Sequence, residues 1–457
     1  MLSNHSPWLH QLNRTRPIEP LTKDASADVA IVGGGIAGVM TAYFTLRDTS
    51  KSVLMVEADK VAHGATGHNA GQIASYFERP FAELVEEFGL QLAADGQRSV
   101  ESGWALLDSI ILEAGLATPV HRFTGYAGCM SLAQVLAHLR DNQLRVEGGL
   151  PAETMTIAEE WIEGKDIPEE FSDLYQFAPQ RDILALLNTN NPVYIAALSY
   201  QKGCTNSALI CEEIVEYLLA TYPDRFQLHE GTEIKVVRLQ KEAATLQTAN
   251  FHTVTAERVV LCTNGFEYFT LVNEAGADID TSFHHLMSGR IGYMAGYLEP
   301  MDMPPTAISY FQSPDPTSED PTGESYYYLT RRPHSEEGST AQNLVCIGGP
   351  DSVLPNQALY ERDMPFAEDR REEIDGFMCG TYVHHPVGTV EYAFTWHGLM
   401  GYTPNGVRRV GTEPKNPVLL YNLGCNGVGI LPSIYGGKRI ATILSGRTCE
   451  PSIFDPV

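Results

Sequence analysis

The sequence predicts an α/β fold in which a Rossmann-type βαβ unit is interleaved with a mainly antiparallel sheet, and three observations carry that expectation. In "ADVAIVGGGIAGVMTAYFTLR" a short apolar, β-branched run from Asp28 to Val32 meets a cluster of glycines, after which Met40, Tyr43 and Leu46 recur at helical spacing. The apolar run "SVLMVEA" follows and ends at Glu57, completing strand, turn, helix and strand. The region from 276 to 390 is richer in Pro and Tyr and breaks into strand-like pieces, "SGRIGYMAGYL", "ESYYYLTRR" and "NLVCIGG", which read as a separate sheet.

Between these regions the periodicity predicts helices over 80–115 and in "SALICEEIVEYLLATY". Strands are expected in "TEIKVVRLQ", "AATLQTAN" and "TVTAERVVLCTNG", and strand and helix character returns in "PVLLYNLGCNGVGILPSIYGGKRIATIL". At 457 residues the chain exceeds what one core ordinarily serves, so two domains or interleaved lobes are expected.

The balance of 57 acidic to 31 basic residues gives a formal charge of −26, which repels a phosphate backbone and argues against a nucleic-acid partner. Eight cysteines without a C-x-x-C pair suggest reduced thiols in a cytoplasmic setting rather than a disulfide frame or zinc site. The N-terminal residues lack the apolar core of a secretory signal, and no stretch reaches the roughly 18 apolar residues of a membrane span.

Gly33, Gly35 and Gly38 fit G-x-G-x-x-G: the first permits a tight turn, the second lets a pyrophosphate approach, and the third lets helix and strand pack closely. Ile36 and Ala37 open the helix whose positive end would face that anion. Glu57, with Ala58 beside it, stands 24 residues beyond Gly33, where a carboxylate can accept ribose hydroxyls. A glycine-rich turn of another α/β fold is the competing reading. The stretch "VAHGATGHNAGQ" is too thin to build a core; Gly64, Ala65, Thr66, His68, Asn69, Ala70, Gly71 and Gln72 suit a loop lying flat against a bulky planar group.

With "RVVLCTNGF" and "WHGLMGYTPNGVRRVG" followed by "GCNGVG", these passages make the chain resemble the D-amino-acid oxidase-like FAD-dependent oxidoreductases, most of all the gamma-glutamylputrescine oxidoreductase group. The resemblance implies FAD as cofactor, with Val236 or Val237 by the adenine, Asn264 and Gly265 in the cofactor site, and Gly427, Val428, Gly429 and Ile430 along the flavin's pyrimidine edge. It implies an N-terminal arm over 1–27, an FAD-binding domain from 28–110, 200–268 and 396–446, a substrate domain from 111–199 and 269–395, and a tail from 447. In relatives resembling dimethylglycine dehydrogenase a histidine at the place of His68 carries the flavin covalently. Here Gly67 replaces the tryptophan of that pattern, and an ordinary polar loop contact is the alternative.

For the chemistry, the resemblance implies oxidation of a carbon next to nitrogen, with oxygen or another acceptor reoxidising the flavin. Tyr326 and Tyr328 share one strand face and are candidates to cover a substrate, against simple aromatic packing. Arg290 and His397 are further candidates to line the site, although a salt bridge suits Arg290 as well. His284-His285 and His384-His385 lack companion ligand spacing, so no metal is expected. Family members that oxidise amino acids end the W-x-G-L-x passage in arginine; here Met400 stands there, which favours a small-molecule amine, polyamine-like in having an aliphatic stem, over a free amino acid. Oxidation of an amino or hydroxy acid, and a non-catalytic flavin-binding subunit, are the competing readings.

Overall fold

A computed structural model describes residues 4–161, 166–266, 268–283, 287–312, 325–335, 341–354, 359–385 and 390–456. Among them two sheets organise the chain. At the centre of the first, five strands run parallel in the order Phe226–His229, Val53–Val56, Ala25–Val32, Thr253–Leu261 and Leu419–Leu423. Ile234–Leu239 and Ala244–Thr248 extend it through antiparallel ladders, with Thr270–Asn273 outermost.

These central strands are apolar on both faces because both are covered. Val29, Ile31, Val53 and Met55 pack with the helices Ile36–Asp48, Ser207–Thr221 and Ile430–Leu444, while Ala30, Val32, Leu54 and Val56 join a second cluster with Val237, Leu246 and Leu271. The helices Ile36–Asp48 and Ile430–Leu444 approach so closely that a Cβ on Gly437 would lie 2.7 Å from the Met40 carbonyl carbon. That contact holds the start of the chain's first βαβ unit against its last helix.

The second sheet runs Phe394–Tyr402, Ser288–Pro300, Gln342–Leu354, Tyr326–His334, Thr306–Phe311, His121–Cys129, Ala196–Cys204, Thr154–Ala158, Tyr175–Ala178. Its ladders are antiparallel except at two pairs, Thr306–Phe311 with His121–Cys129 and Thr154–Ala158 with Tyr175–Ala178. The α/β class and the mainly antiparallel second sheet are therefore as the sequence predicts. Four strands depart from the expected segments: Thr270–Asn273 pairs in the first sheet, while Gln72–Ile73, the second half of Ala196–Cys204 and Phe394–Tyr402 lie in the second, the last because nine of its residues register with Ser288–Gly296. The span 80–115 forms three helices, Phe81–Phe88, Leu90–Glu101 and Gly103–Ala114; Gly89, at φ 81°, breaks the first from the second.

An N-terminal arm locks onto the first unit. Ser6 caps the short helix Pro7–His10, and Trp8 is fully buried. Further along, Arg14 and Arg16 both bond the Glu230 carboxylate, Arg16 also reaches Glu212 at 2.8 Å, and the Val61 N–H donates to Glu230 at 2.7 Å. Burial works against the Glu230 charge, yet the two guanidiniums hold its pKa at about 2.

A folded pKa below the unfolded one contributes stability that is complete above about pH 4.5 and lost as the pH falls toward about 2. Glu230→Gln leaves Glu212 as the one carboxylate facing both arginines among the described residues and should destabilise the protein by about 3 kcal/mol at neutral pH. Urea unfolding across that acid range should show a steeper fall for the wild type than for the variant, which keeps only the contribution of other depressed carboxylates such as Asp28 and Asp48; parallel profiles would refute the assignment.

Candidate functional site

Gly33 takes φ 107°, a conformation that L side chains rarely adopt, and a Cβ there would lie 2.7 Å from the Cys262 carbonyl. At Gly38 a Cβ would meet the Gly33 carbonyl at 1.9 Å, which is why the helix can start so close to its own turn. The Ile36 N–H, one of the unsatisfied donors at that helix start, donates to the Thr66 hydroxyl at 3.0 Å. Thr66 belongs to the thin loop, so the loop caps a helix thirty residues earlier. Ala62 N–H reinforces the link by donating to the Gly34 carbonyl at 3.0 Å.

Glu57 ends its strand as expected. Its carboxylate accepts the Gly34 N–H at 2.7 Å and the Asp59 N–H at 2.9 Å, while burial raises its pKa. Ala58 follows at the same strand end. The residues present fit a dinucleotide: a Cβ built on Gly35 meets only the Thr66 hydroxyl, at 3.1 Å, and one on Gly64 meets nothing within 4 Å, so the backbone is open beside a helix N-terminus and a strand-end acid. FAD would be held there by Gly33 to Gly38, Glu57 and the thin loop.

The loop is bonded on every side. Asn69 donates its amide to the Thr66 carbonyl at 2.9 Å and the Ser207 hydroxyl at 2.8 Å, and accepts the Gly71 N–H at 2.7 Å. Its own carbonyl accepts the indole N–H of Trp8 at 2.6 Å and of Trp396 at 3.2 Å. Gly71 is required: its φ is 67°, and a Cβ would strike the Trp8 ring at 2.5 Å. Ala70 packs against the first unit's core, and Gln72 pairs with Cys204 where the chain enters the second sheet. His68 is buried, its Nδ1 2.9 Å from the Gly64 carbonyl, and burial holds its pKa down to about 4, so the ring is neutral.

Two further glycine passages join at the other end of the site. Asn264 and Gly265 both have positive φ, and the Cys425 N–H donates to Asn264 Oδ1 at 2.8 Å, tying the 264–265 turn to the loop before Ile430–Leu444. Gly429 caps that helix, with Val428 just before it. At Gly427, φ 77°, a Cβ would lie 2.6 to 2.9 Å from the Glu78 side chain. Of the two residues expected by the adenine, Val237 is fully buried in the sheet core and Val236 is half-buried.

Glu78 is the residue sequence reasoning missed. The Tyr326 hydroxyl lies 2.8 Å from both of its oxygens, and burial raises its pKa while Lys202 opposes the rise. Lys202 is fully buried, donates to the Ser309 hydroxyl at 3.2 Å, and has its ammonium 5.5 Å from the Tyr76 ring and 5.8 Å from the Tyr200 ring. Burial pulls its pKa down to about 8, with Glu78 and Glu153 opposing. Tyr326 and Tyr328 are 5.7 Å apart, and a Cβ on Gly292 would lie 3.0 Å from the Met400 methyl and 3.8 Å from the Tyr328 hydroxyl. Tyr326, Tyr328 and Met400 therefore meet at one place with Glu78. A lone lysine at an inward strand position is the one local signal that marks Lys202; Glu78 has none.

Arg290 sits opposite Met400 in register, over the Tyr402 ring at 5.1 Å and 3.5 Å from Asp351. His397 is a correction. Strand alternation turns it to the face opposite Trp396 and Met400, where Nε2 lies 3.0 Å from the Met364 carbonyl and Nδ1 3.2 Å from the Tyr360 hydroxyl. Arg331 bonds Tyr382 at 2.6 Å and the Pro304 carbonyl, away from this cluster. His284 and His285 lie outside the described residues; His385 stands with Asp375 and Cys379, three potential ligand atoms within 4.8 Å of one another.

Residues 28–443 match the profile of a family described as FAD dependent oxidoreductase. The chain is 30% identical over 81 residues to gamma-glutamylputrescine oxidoreductase of Escherichia coli (strain K12), covering 18% of this chain and 19% of that one. The aligned stretch thus spans under a fifth of that relative's length. Among solved structures, glycine oxidase from Geobacillus kaustophilus superposes with a TM-score of 0.63 at 16% identity, over 94% of this chain and 98% of that one. L-proline dehydrogenase from P. horikoshii gives 0.65 at 15% identity, over 95% and 97%. At those identities the likeness is one of fold. No helix among the described residues is long and apolar enough to cross a membrane.

Gly35→Val would press its branched side chain onto the Thr66 hydroxyl and off the Ile36 N–H. The purified variant should carry less than about a tenth of the wild-type flavin, read as absorbance per protein, with the far-UV signal retained. Full flavin content in the variant would show that this turn does not hold the cofactor.

Proposed function

The chain belongs to the FAD dependent oxidoreductase family, and from that membership we propose that it oxidises a C–N bond of a primary or secondary amine, a cation with an aliphatic stem, with oxygen or another acceptor reoxidising the flavin. The observation that carries this reading is the Glu78 carboxylate, bonded by Tyr326 beside the Gly427 turn, with Met400 where an α-carboxylate would need a cationic fork. The division of the chain into FAD-binding and substrate-binding segments given above, with the four departing strands reassigned to the sheets they pair in, is part of the same proposal.

Bound FAD supplies the acceptor for a hydride from the carbon next to nitrogen. The chain's own residues supply charge and order. Glu78 draws an ammonium toward Tyr326, Tyr328 and Tyr402, whose ring faces add cation–π attraction and exclude water. The nitrogen must lose a proton before its neighbouring carbon can release hydride, and burial, by raising the Glu78 pKa, makes that carboxylate a better acceptor. Lys202 keeps the balance of charge: with its pKa held to about 8, it sheds its proton far more readily than an ordinary lysine, so one cation can replace another beside Glu78. Met400 offers aliphatic contact and no donor.

Amino acid oxidation has one observation in its favour. Arg290 projects from the residue opposite Met400, and release from Asp351 would let it hold a carboxylate. Its charge is already met by that aspartate, which is why the amine reading stands first.

Flavin reduction followed anaerobically over a panel of amines and amino acids tests the choice. Polyamine-like amines should reduce the flavin at least tenfold more efficiently than sarcosine, glycine or D-amino acids, a difference of about 1.4 kcal/mol in transition-state binding. Met400→Arg should narrow the gap, and Glu78→Gln should lower kcat/KM for cationic amines about tenfold with flavin content unchanged. An unaltered enzyme whose best substrate is a small amino acid overturns the amine assignment.

His68 bears on how the cofactor is held. Its Nδ1 is engaged with the Gly64 carbonyl and the ring is a neutral, buried part of the loop, and we propose non-covalent FAD with His68 as a loop contact. After acid precipitation the supernatant should be yellow and the polypeptide of unmodified mass; a polypeptide heavier by one FAD would establish the covalent link instead.

A further inference from the structure

Arg408 follows the turn after Phe394–Tyr402 and is 5% exposed. Its Nε donates to Asn422 Oδ1 at 2.7 Å, Nη2 to the Asn422 carbonyl at 3.1 Å, and Nη1 to the Gly424 carbonyl at 3.2 Å. Every acceptor is neutral. Among the described residues no carboxylate stands within ion-pair distance, and the ionisable neighbours that bear on it are the thiols of Cys425 and Cys262. Burial pushes its pKa down to about 10, the direction expected of a cation that the surrounding protein does not compensate.

The surroundings add positive charge rather than removing it. The Asn422 amide that lies beside Arg408 donates to the Ala37 carbonyl, the Thr41 hydroxyl and the Ser433 carbonyl, in the first turns of Ile36–Asp48 and Ile430–Leu444. Two helix N-termini, each the positive end of a dipole, therefore converge where the guanidinium is buried. Cys262 connects the same place to the glycine turn, since its carbonyl limits Gly33 to a residue without Cβ. The fold gathers three positive sources around one region and supplies no anion of its own.

We propose that Arg408 is a built-in counter-charge for the anionic part of bound FAD, so that the cation is compensated only when the cofactor is in place. The anion has two sources: the pyrophosphate, which is always charged, and the N1–C2 edge of the flavin, which gains negative charge on reduction. The inference rests on the family's cofactor and not on the amine reading, so its failure would leave that reading standing.

The test uses holoenzyme and protein stripped of FAD by dialysis against bromide, for the wild type, Arg408→Gln and Arg408→Lys. Removing the charge should raise the FAD dissociation constant at least tenfold or lower the flavin midpoint potential, and should lower the melting temperature of the holoenzyme. The stripped Arg408→Gln protein should melt at or above stripped wild type, because an uncompensated buried cation is gone. Weakened binding of oxidised FAD assigns the counter-charge to the pyrophosphate; unchanged binding with a lowered midpoint potential assigns it to the N1–C2 edge. Arg408→Lys, which keeps the charge without the planar fork, should bind FAD within about threefold of wild type. The proposal falls if Arg408→Gln lowers both melting temperatures equally with affinity and potential unchanged, since Arg408 then only ties Asn422 to Gly424. If Arg408→Gln does not fold, Arg408→Lys decides, and a loss of FAD affinity of tenfold or more in it overturns the proposal.

Discussion

One backbone carbonyl, that of Asn69, accepts indole N–H groups from Trp8 in the arm and Trp396 in the second sheet. A carbonyl has two lone pairs, and both are used here to join segments nearly four hundred residues apart in sequence. The rest of the cofactor region hangs from that joint. The loop that carries it also caps Ile36–Asp48 through Thr66, holds Ser207 at the head of another helix, and feeds Gln72 into the second sheet. Its thinness is a consequence of being enclosed: at Gly67, Gly71 and the facing Gly398, a single added carbon would meet backbone or ring atoms at 2.8 Å or less.

The electrostatics of the site follow from the same enclosure. Glu78, Lys202 and the tyrosines around them share a space walled by the second sheet and the Gly427 turn, where the low dielectric moves each pKa away from its ordinary value. Glu78 and Glu153 both oppose the loss of the Lys202 charge, so the charges in that space are set by one another. A surface of net charge −26 biases which solutes arrive, but selection happens inside, where a misplaced charge finds no water.

How much of this was legible in the sequence depends on the range over which each requirement acts. Gly33, Gly35 and Gly38 could be read because their spacing within one turn is a local pattern, even though the atoms that crowd Gly33 and Gly35 belong to Cys262 and Thr66. The helical character of 80–115 was equally plain, but the break at Gly89 that makes three helices of it was not. His397 was not: whether it or Met400 faces inward is decided by register with Ser288–Pro300, a partner a hundred residues away. Glu78 and Lys202 were missed for a related reason. They meet across more than a hundred residues of chain, and neither has a spacing pattern around it. Which of Val236 and Val237 the core takes is likewise set by the pairing of Ile234–Leu239 with Ala244–Thr248, a partner outside the local pattern.

The arm's contacts also set an order of events. His5 bridges to Thr395 and Asn4 bonds the backbone at His397, so these contacts of the arm form only once residues nearly four hundred positions later are in place. Closing loops of that length is slow, and until it happens the face of Trp8 that Trp396 meets edge-on, ring centroids 6.2 Å apart, lacks its cover. The arm is therefore a late-closing clasp, and the interval before it shuts is when the half-built protein is open to aggregation, to proteolysis, and to the entry of its cofactor.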